Sequence, residues 1–208
     1  MALLVLLLIA VVCLSFLYPR FIGDRVGFLL MLPVIAYTLY FYLDWQLASF
    51  IEISTLVLGG IVVGCVLLLA GLPLSSPQPI KFMADSIRGI KCLKENKNYL
   101  LFQLGITAYE ELIWRVFLIS TLVLALPAWA AIFLSAVLFW TVHEENRPLG
   151  WHSLEFFLFA ILLGVAYVVT DSLLFVWFVH LTRNVLILSA SFYEEYQDSL
   201  KVGAGESS

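Results

Sequence analysis

Two adjacent carboxylates stand inside an apolar run that reads Tyr109-Glu110-Glu111-Leu112-Ile113-Trp114-Arg115. On a helix that starts near Tyr99, Glu110 is about 11 residues in, roughly 16 Å along the axis. That is near the middle of a bilayer, where a charge costs at least about 2.5–3.5 kcal/mol on insertion scales. Three ionisable groups at that depth must face a bundle interior or a water-filled cavity. Glu111 and Arg115 are four residues apart and can pair along one helix face. Glu110 points about 100° away from Glu111 and needs a partner from another helix.

Candidate partners are few, because the chain has three histidines. His143 ends the segment Phe139-Trp140-Thr141-Val142-His143, and His180 begins His180-Leu181-Thr182-Arg183-Asn184. Phe139 with His143, and His180 with Asn184, are four apart, so each pair shares one helix face. His152 falls in the short connection after the fifth helix and reads as interfacial. A Glu beside a His can draw a proton from water. A second His and an Asn supply donors suited to the oxyanion of a tetrahedral intermediate. Water, base and oxyanion hole together make a peptide hydrolase without a covalent nucleophile. Two His and one Glu are also a zinc set. The HExxH spacing is absent, since Arg147 stands four residues after His143. Asn184 is a poor zinc ligand and a good donor. The expected site is therefore Glu110, His143, His180 and Asn184, supported by Glu111, Arg115 and Phe139, without a metal or other cofactor. Zinc held between separate helices is the alternative.

Such a site needs a membrane bundle around it, and the composition supplies one. The 208 residues are 62% hydrophobic and 12% charged, with a mean hydropathy of +1.02. A soluble domain carries about 25% charged residues. The 11 basic residues against 15 acidic ones offer no basic face, which excludes nucleic acid as a partner. Cys13 and Cys65 lie in apolar runs and Cys92 among lysines, a pattern for neither disulfides nor a metal pair. At about 20 residues per span, the length allows six to eight spans.

Seven are expected, in an all-α polytopic bundle with an intramembrane cavity. Residues 1–72 hold three N-terminal spans: Ala2–Leu17, read as a retained helix, then Val26–Leu43 with Pro33 inside it, then Ile53–Leu72. In the third, Gly59, Gly60 and Gly64 allow close helix contact. Residues 73–98 read as a basic cytoplasmic loop, and Asn98 as the cap of the next helix. Residues 99–192 read as a four-helix core: Tyr99–Leu126 ended by Pro127, Ala128–His143, Leu154–Thr170 and Ser172–Phe192, with Asp171 in the last tight turn. Residues 193–208 read as a fraying polar tail. The positive-inside rule places Lys81, Arg88, Lys91, Lys94 and Lys97 in the cytoplasm, with Arg20 and Arg25 on the same side. The connection with Asp44 and Glu52 then lies outside.

The three charged segments resemble the motifs of the CPBP family, the CAAX-protease and bacteriocin-processing (Abi) intramembrane endopeptidases. The family pattern is EExxxR, then FxxxH, then HxxxN. It matches Glu110-Glu111…Arg115, Phe139…His143 and His180…Asn184 in order and spacing, within residues 99–190. The resemblance implies a bundle with a conical cavity and a glutamate-based mechanism. It implies Glu110 as general base, His143 as its partner, His180 and Asn184 as the oxyanion hole, and Glu111 with Arg115 holding the site together. The implied partners are the bilayer and a membrane-associated protein or peptide, such as a C-terminal sorting tail or a peptide precursor. The expected location is a bacterial inner membrane. A non-catalytic immunity or scaffold protein of the same family is the alternative. A proton-coupled transporter fits less well, since the sequence has no inverted repeat or pair of broken helices.

Trp114, Trp140 and Trp177 read as packing or lipid-facing residues, with a substrate groove as the other option. Arg183 needs a partner at its depth. Glu144 and Glu145 read either as residues of an aqueous entrance, paired with Arg183 or Arg147, or as ordinary headgroup-level charges.

Overall fold

The computed structural model describes residues 2–17, 24–43, 49–144 and 148–205. Arg20, Asp44, Glu145 and Arg147, and the side chain of Arg25, lie outside the described residues. The described residues form helices and no strand. They are α1 (Ala2–Leu17), α2 (Asp24–Phe41), α3 (Phe50–Ser75), α4 (Pro79–Gly89), α5 (Lys97–Glu111), a π-helical segment (Leu112–Phe117), α6 (Leu118–Leu122), α7 (Ala128–Glu144), α8 (Trp151–Thr170) and α9 (Leu173–Gly205).

The outside of the bundle is apolar. Leu6, Leu29, Leu58, Val62, Phe102 and Val169 are all more than half exposed. Water does not tolerate such a continuous surface, but hydrocarbon does. Three helices, α3, α8 and α9, are long and apolar enough to cross a membrane, and α1, α2 and α7 are shorter apolar helices. The chain is a helical membrane bundle.

Helix starts and stops have local causes. Ser49 and Glu52 close α3 with a reciprocal capping box. Asp171 reverses the chain between α8 and α9 in the left-handed conformation (φ 46°), which a short polar side chain adopts more readily than most. Most helix boundaries shift by a few residues from the sequence expectation, and four differences matter here. The helix before the paired carboxylates starts at Lys97, with Asn96 at its N-cap position and not Asn98; the Asn96 amide donates to the Cys92 carbonyl. That helix run ends at Leu122, and turn bonds Ala125 N–H to Leu122 O carry the chain to Pro127. His152 is in the first turn of α8, not in a loop. The polar tail does not fray at Tyr193, because α9 continues to Gly205.

The expected loop at 73–98 contains α4 and a short helical turn at Cys92–Lys94. Helix α4 is amphipathic in an unusual sense. Asp85, Ser86 and Gly89 are buried, while Ile80 and Ile87 are exposed. Charge density read as loop, but small residues at 86 and 89 let α4 lie against α9, with Gly89 facing the backbone of Ser189.

Helix α9 is the spine of the molecule, packed by α3, α4, α5 and α8. On α3, a Cβ on Gly60 would stand 2.7 Å from the Phe175 carbonyl oxygen. One on Gly64 would stand 2.6 Å from the Val179 carbonyl oxygen, next to His180. Only glycine permits this approach, as the small-residue reading of α3 expects. Gly64→Val should force α3 off α9 and cost about 1–3 kcal/mol, a typical overpacking penalty. Thermal unfolding in detergent measures it; an unchanged midpoint would refute the close contact.

Candidate functional site

The segment that carries the carboxylates crosses the middle of the bundle. All six residues from Leu112 to Phe117 are buried. The Leu118 N–H bonds to the Ile113 carbonyl five residues back, the wide π spacing. Such turns loosen backbone carbonyls and cluster at functional sites. Here the Ser135 hydroxyl of α7 donates to the Trp114 carbonyl at 2.6 Å.

Six of the seven residues singled out in the sequence meet around this turn. His143 Nε2 lies 3.3 Å from Glu110 Oε1. His143 Nδ1 lies 2.8 Å from the Phe139 carbonyl oxygen, one turn back on α7. A carbonyl only accepts, so Nδ1 carries a hydrogen. The Phe139 ring stacks beside His143 and carries the Arg115 guanidinium 4.2 Å from its centroid.

Glu111 is fully buried and holds two partners. Arg115 Nε is 3.2 Å from Oε2, and His180 Nδ1 is 2.6 Å from Oε1. The Arg115 pair follows the four-residue spacing. The His180 contact was not legible in the spacing, because it depends on how α9 docks. With Nδ1 donating to Glu111, His180 Nε2 is left facing Glu110 Oε2 at 3.8 Å, wide for a direct hydrogen bond. Both histidines thus spend Nδ1–H on a fixed acceptor and turn Nε2 toward one carboxylate. A carboxylate and an unprotonated ring nitrogen both accept, so the Glu110–His143 contact is a hydrogen bond when one of the two carries a proton.

Asn184 does not join this contact set directly. It lies one turn beyond His180 on α9, and its amide donates to Gln103 Oε1 at 3.1 Å. Gln103 was missed in the sequence. Its signal was a place on α5 two turns before Glu110, hence on the same face. Among the described residues, no group of three or more His, Cys, Asp or Glu side chains is placed to hold a metal ion.

A cavity of about 360 Å³ reaches His143. Its wall includes Glu144, His152, Glu155, Phe156 and Arg183, with Leu68 and Leu72 of α3 and Phe82 of α4. Glu144 lies there, buried in the cavity wall, with His152 Nε2 at 3.8 Å. Arg183 pairs with Glu155 at 2.7 Å rather than with Glu144. Glu155 was also missed; it is the one acidic residue of α8, in its second turn, and its signal was an acid beside an apolar run. None of the three tryptophans lines this cavity. Trp114 packs on Phe139, while Trp140 and Trp177 donate to Ser153 and to Leu104 with Thr107.

The architecture defines a membrane-embedded acid–histidine site beside a cavity of mixed apolar and charged walls. Residues 97–186 match the family model "Type II CAAX prenyl endopeptidase Rce1-like". This segment, under half of the chain, holds every residue of the site and is similar to that family of CAAX-type proteases. No curated protein and no solved structure matches the chain significantly.

Arg115→Met leaves the Glu111 carboxylate with His180 alone in a dry site. Breaking a buried pair from one side costs about 3–5 kcal/mol, so the variant should unfold well below the wild type. Adding Glu111→Leu should return part of that loss. Melting curves of the two variants check the order.

Proposed function

We propose that the protein is an intramembrane endopeptidase that hydrolyses a peptide bond by activated water. The observation that carries the reading is the 3.3 Å contact of Glu110 with His143, whose ring lies in the cavity wall. In the proposed reaction, water bound between them gives its proton to Glu110 as its oxygen attacks the substrate carbonyl. The tetrahedral oxyanion is held by protonated His180 Nε2 and by the second amide hydrogen of Asn184. Glu111 supports that imidazolium from the far nitrogen, as a buried carboxylate does for many catalytic histidines. The first amide hydrogen of Asn184 is spent on Gln103, which fixes the rotamer. Collapse of the intermediate breaks the C–N bond, and the proton held by Glu110 and His143 passes to the leaving amine. No metal is needed, since the proton economy closes without one.

A membrane-associated protein or peptide is the substrate class that fits a lipid-embedded site. Within it, we favour a C-terminal sorting tail with its own membrane helix, or a peptide precursor, and place the protein in a bacterial inner membrane. The five basic residues between Lys81 and Lys97 orient that stretch to the cytoplasm, and His143 near the same end of α7 favours entry from the inner face.

Comparative terminal proteomics on host membranes, wild type against Glu110→Ala at matched expression, tests the reading. A small set of proteins should lose a new terminus in the mutant. Unchanged termini alongside a phenotype on deletion would favour a non-catalytic immunity or scaffold role. On the purified enzyme, Glu110→Gln should lower kcat about 100-fold or more, and His180→Ala about 100–1,000-fold. A strong zinc chelator should leave the wild-type rate unchanged; its loss, restored by zinc, would replace the glutamate mechanism with the metal one.

A further inference from the structure

The Glu155–Arg183 ion pair lies outside all three motifs and outside the proposed reaction. It is nevertheless buried, with Glu155 5% and Arg183 9% exposed. The pair is held from several sides. The guanidinium lies 4.6 Å from the Phe159 ring centroid and 5.6 Å from that of Phe156. Glu155 presses against α3 at Gly71, where an added Cβ would stand 2.7 Å from Glu155 Cγ. Three helices therefore converge on one charge pair: α3 through Gly71, α8 through Glu155 and α9 through Arg183.

Its place in the fold gives it leverage. Helices α8 and α9 are joined at the Asp171 turn. The cavity sits toward their other ends, lined by Glu155 and Phe156 from α8 and by Arg183 and Ile187 from α9. Beside that void the 2.7 Å bond ties the two helices, next to the ring contact of Phe159 with His180. Arg183 also stands between His180 and Asn184 on α9. Those two face α5, bonded to Glu111 and Gln103. Arg183 faces α8. The same turn of α9 is thus gripped from two directions.

We propose that the Glu155–Arg183 pair, seated on Gly71, is a positioning strut that fixes α9 across the cavity and so aligns His180 and Asn184 with Glu110. It touches no reacting atom, and its catalytic meaning rests on the reading of the site given above. A loss of alignment of about 1 Å costs roughly 100-fold in rate, so the strut acts on kcat more than on KM.

Removing one partner alone risks unfolding, so two other changes separate positioning from stability. Glu155→Leu with Arg183→Met replaces the pair by packed apolar groups, an exchange that is often neutral or stabilising. Gly71→Ala keeps both charges but displaces Glu155. The readouts are melting temperature, kcat and KM on the peptide whose terminus disappears in Glu110→Ala membranes. An activity-independent readout is cross-linking of Gln103→Cys with Asn184→Cys by a short bifunctional methanethiosulfonate, with Cys13, Cys65 and Cys92 replaced by alanine. The expected result is near-native melting, kcat lower by about 100-fold, KM little changed, and slower cross-linking in both variants. Native kcat in a stably folded double variant would overturn the proposal, as would unchanged cross-linking. If wild type and Glu110→Gln cleave equally, the assignment of Glu110 as the base fails instead, and the cross-linking rate alone decides whether the strut sets the place of α9.

Discussion

A carboxylate with no exposure at all has to be neutralised from every side, and Glu111 is the point around which this bundle is built. Its own helix supplies Arg115, and α9 supplies His180. Dropping either partner leaves a charge that an apolar interior cannot solvate. The requirement therefore fixes the rotation of the helix that carries Glu110 and Glu111, and the height at which α9 docks against it. Once those are set, Glu110 is turned toward the gap between His143 and His180, and the cavity has its inner end.

Docking at that height cannot be driven by the hydrophobic effect, because lipid tails are as apolar as leucine. The contacts that remain are close backbone approach and hydrogen bonds. Gly60 and Gly64 let α3 reach the backbone of α9 at Phe175 and Val179, on either side of the turn before His180. Trp177 donates to the Leu104 carbonyl of α5 from the same stretch. The Ser135–Trp114 bond ties α7 to the widened turn and so fixes the distance between Glu110 and His143. Each device works within a turn or two of a polar site residue, so the site and the packing are one problem rather than two.

How much of this the sequence displays follows from the range of each interaction. Glu111 with Arg115, Phe139 with His143 and the Asp171 reversal are local, and spacing on one helix was enough to expect them. The grouping of Glu110, His143 and His180 was legible through scarcity, since few polar residues exist to satisfy one another in lipid. The second contact of His180, the Gln103 partner of Asn184 and the Glu155 partner of Arg183 depend on helix docking, which no spacing encodes. Helix α4 was hidden for another reason. Lysines and a Pro–Ser stretch resemble a loop by composition, while the burial of Asp85, Ser86 and Gly89 depends on α9 being there to cover them.

The two histidines show how a common local geometry produces different chemistry. Each fixes its Nδ1 hydrogen on an acceptor that cannot move away, a main-chain carbonyl for His143 and the buried Glu111 for His180. The carbonyl is neutral and the carboxylate is charged. An imidazolium at position 180 therefore has an anion behind it and Glu110 at 3.8 Å in front. His143 has no anion behind it and Glu110 at 3.3 Å. In the proposed reaction His180 is the donor to the oxyanion and His143 the partner of Glu110. The order of Glu110, His143 and His180 around the gap thus separates proton transfer from oxyanion binding in the proposed reaction.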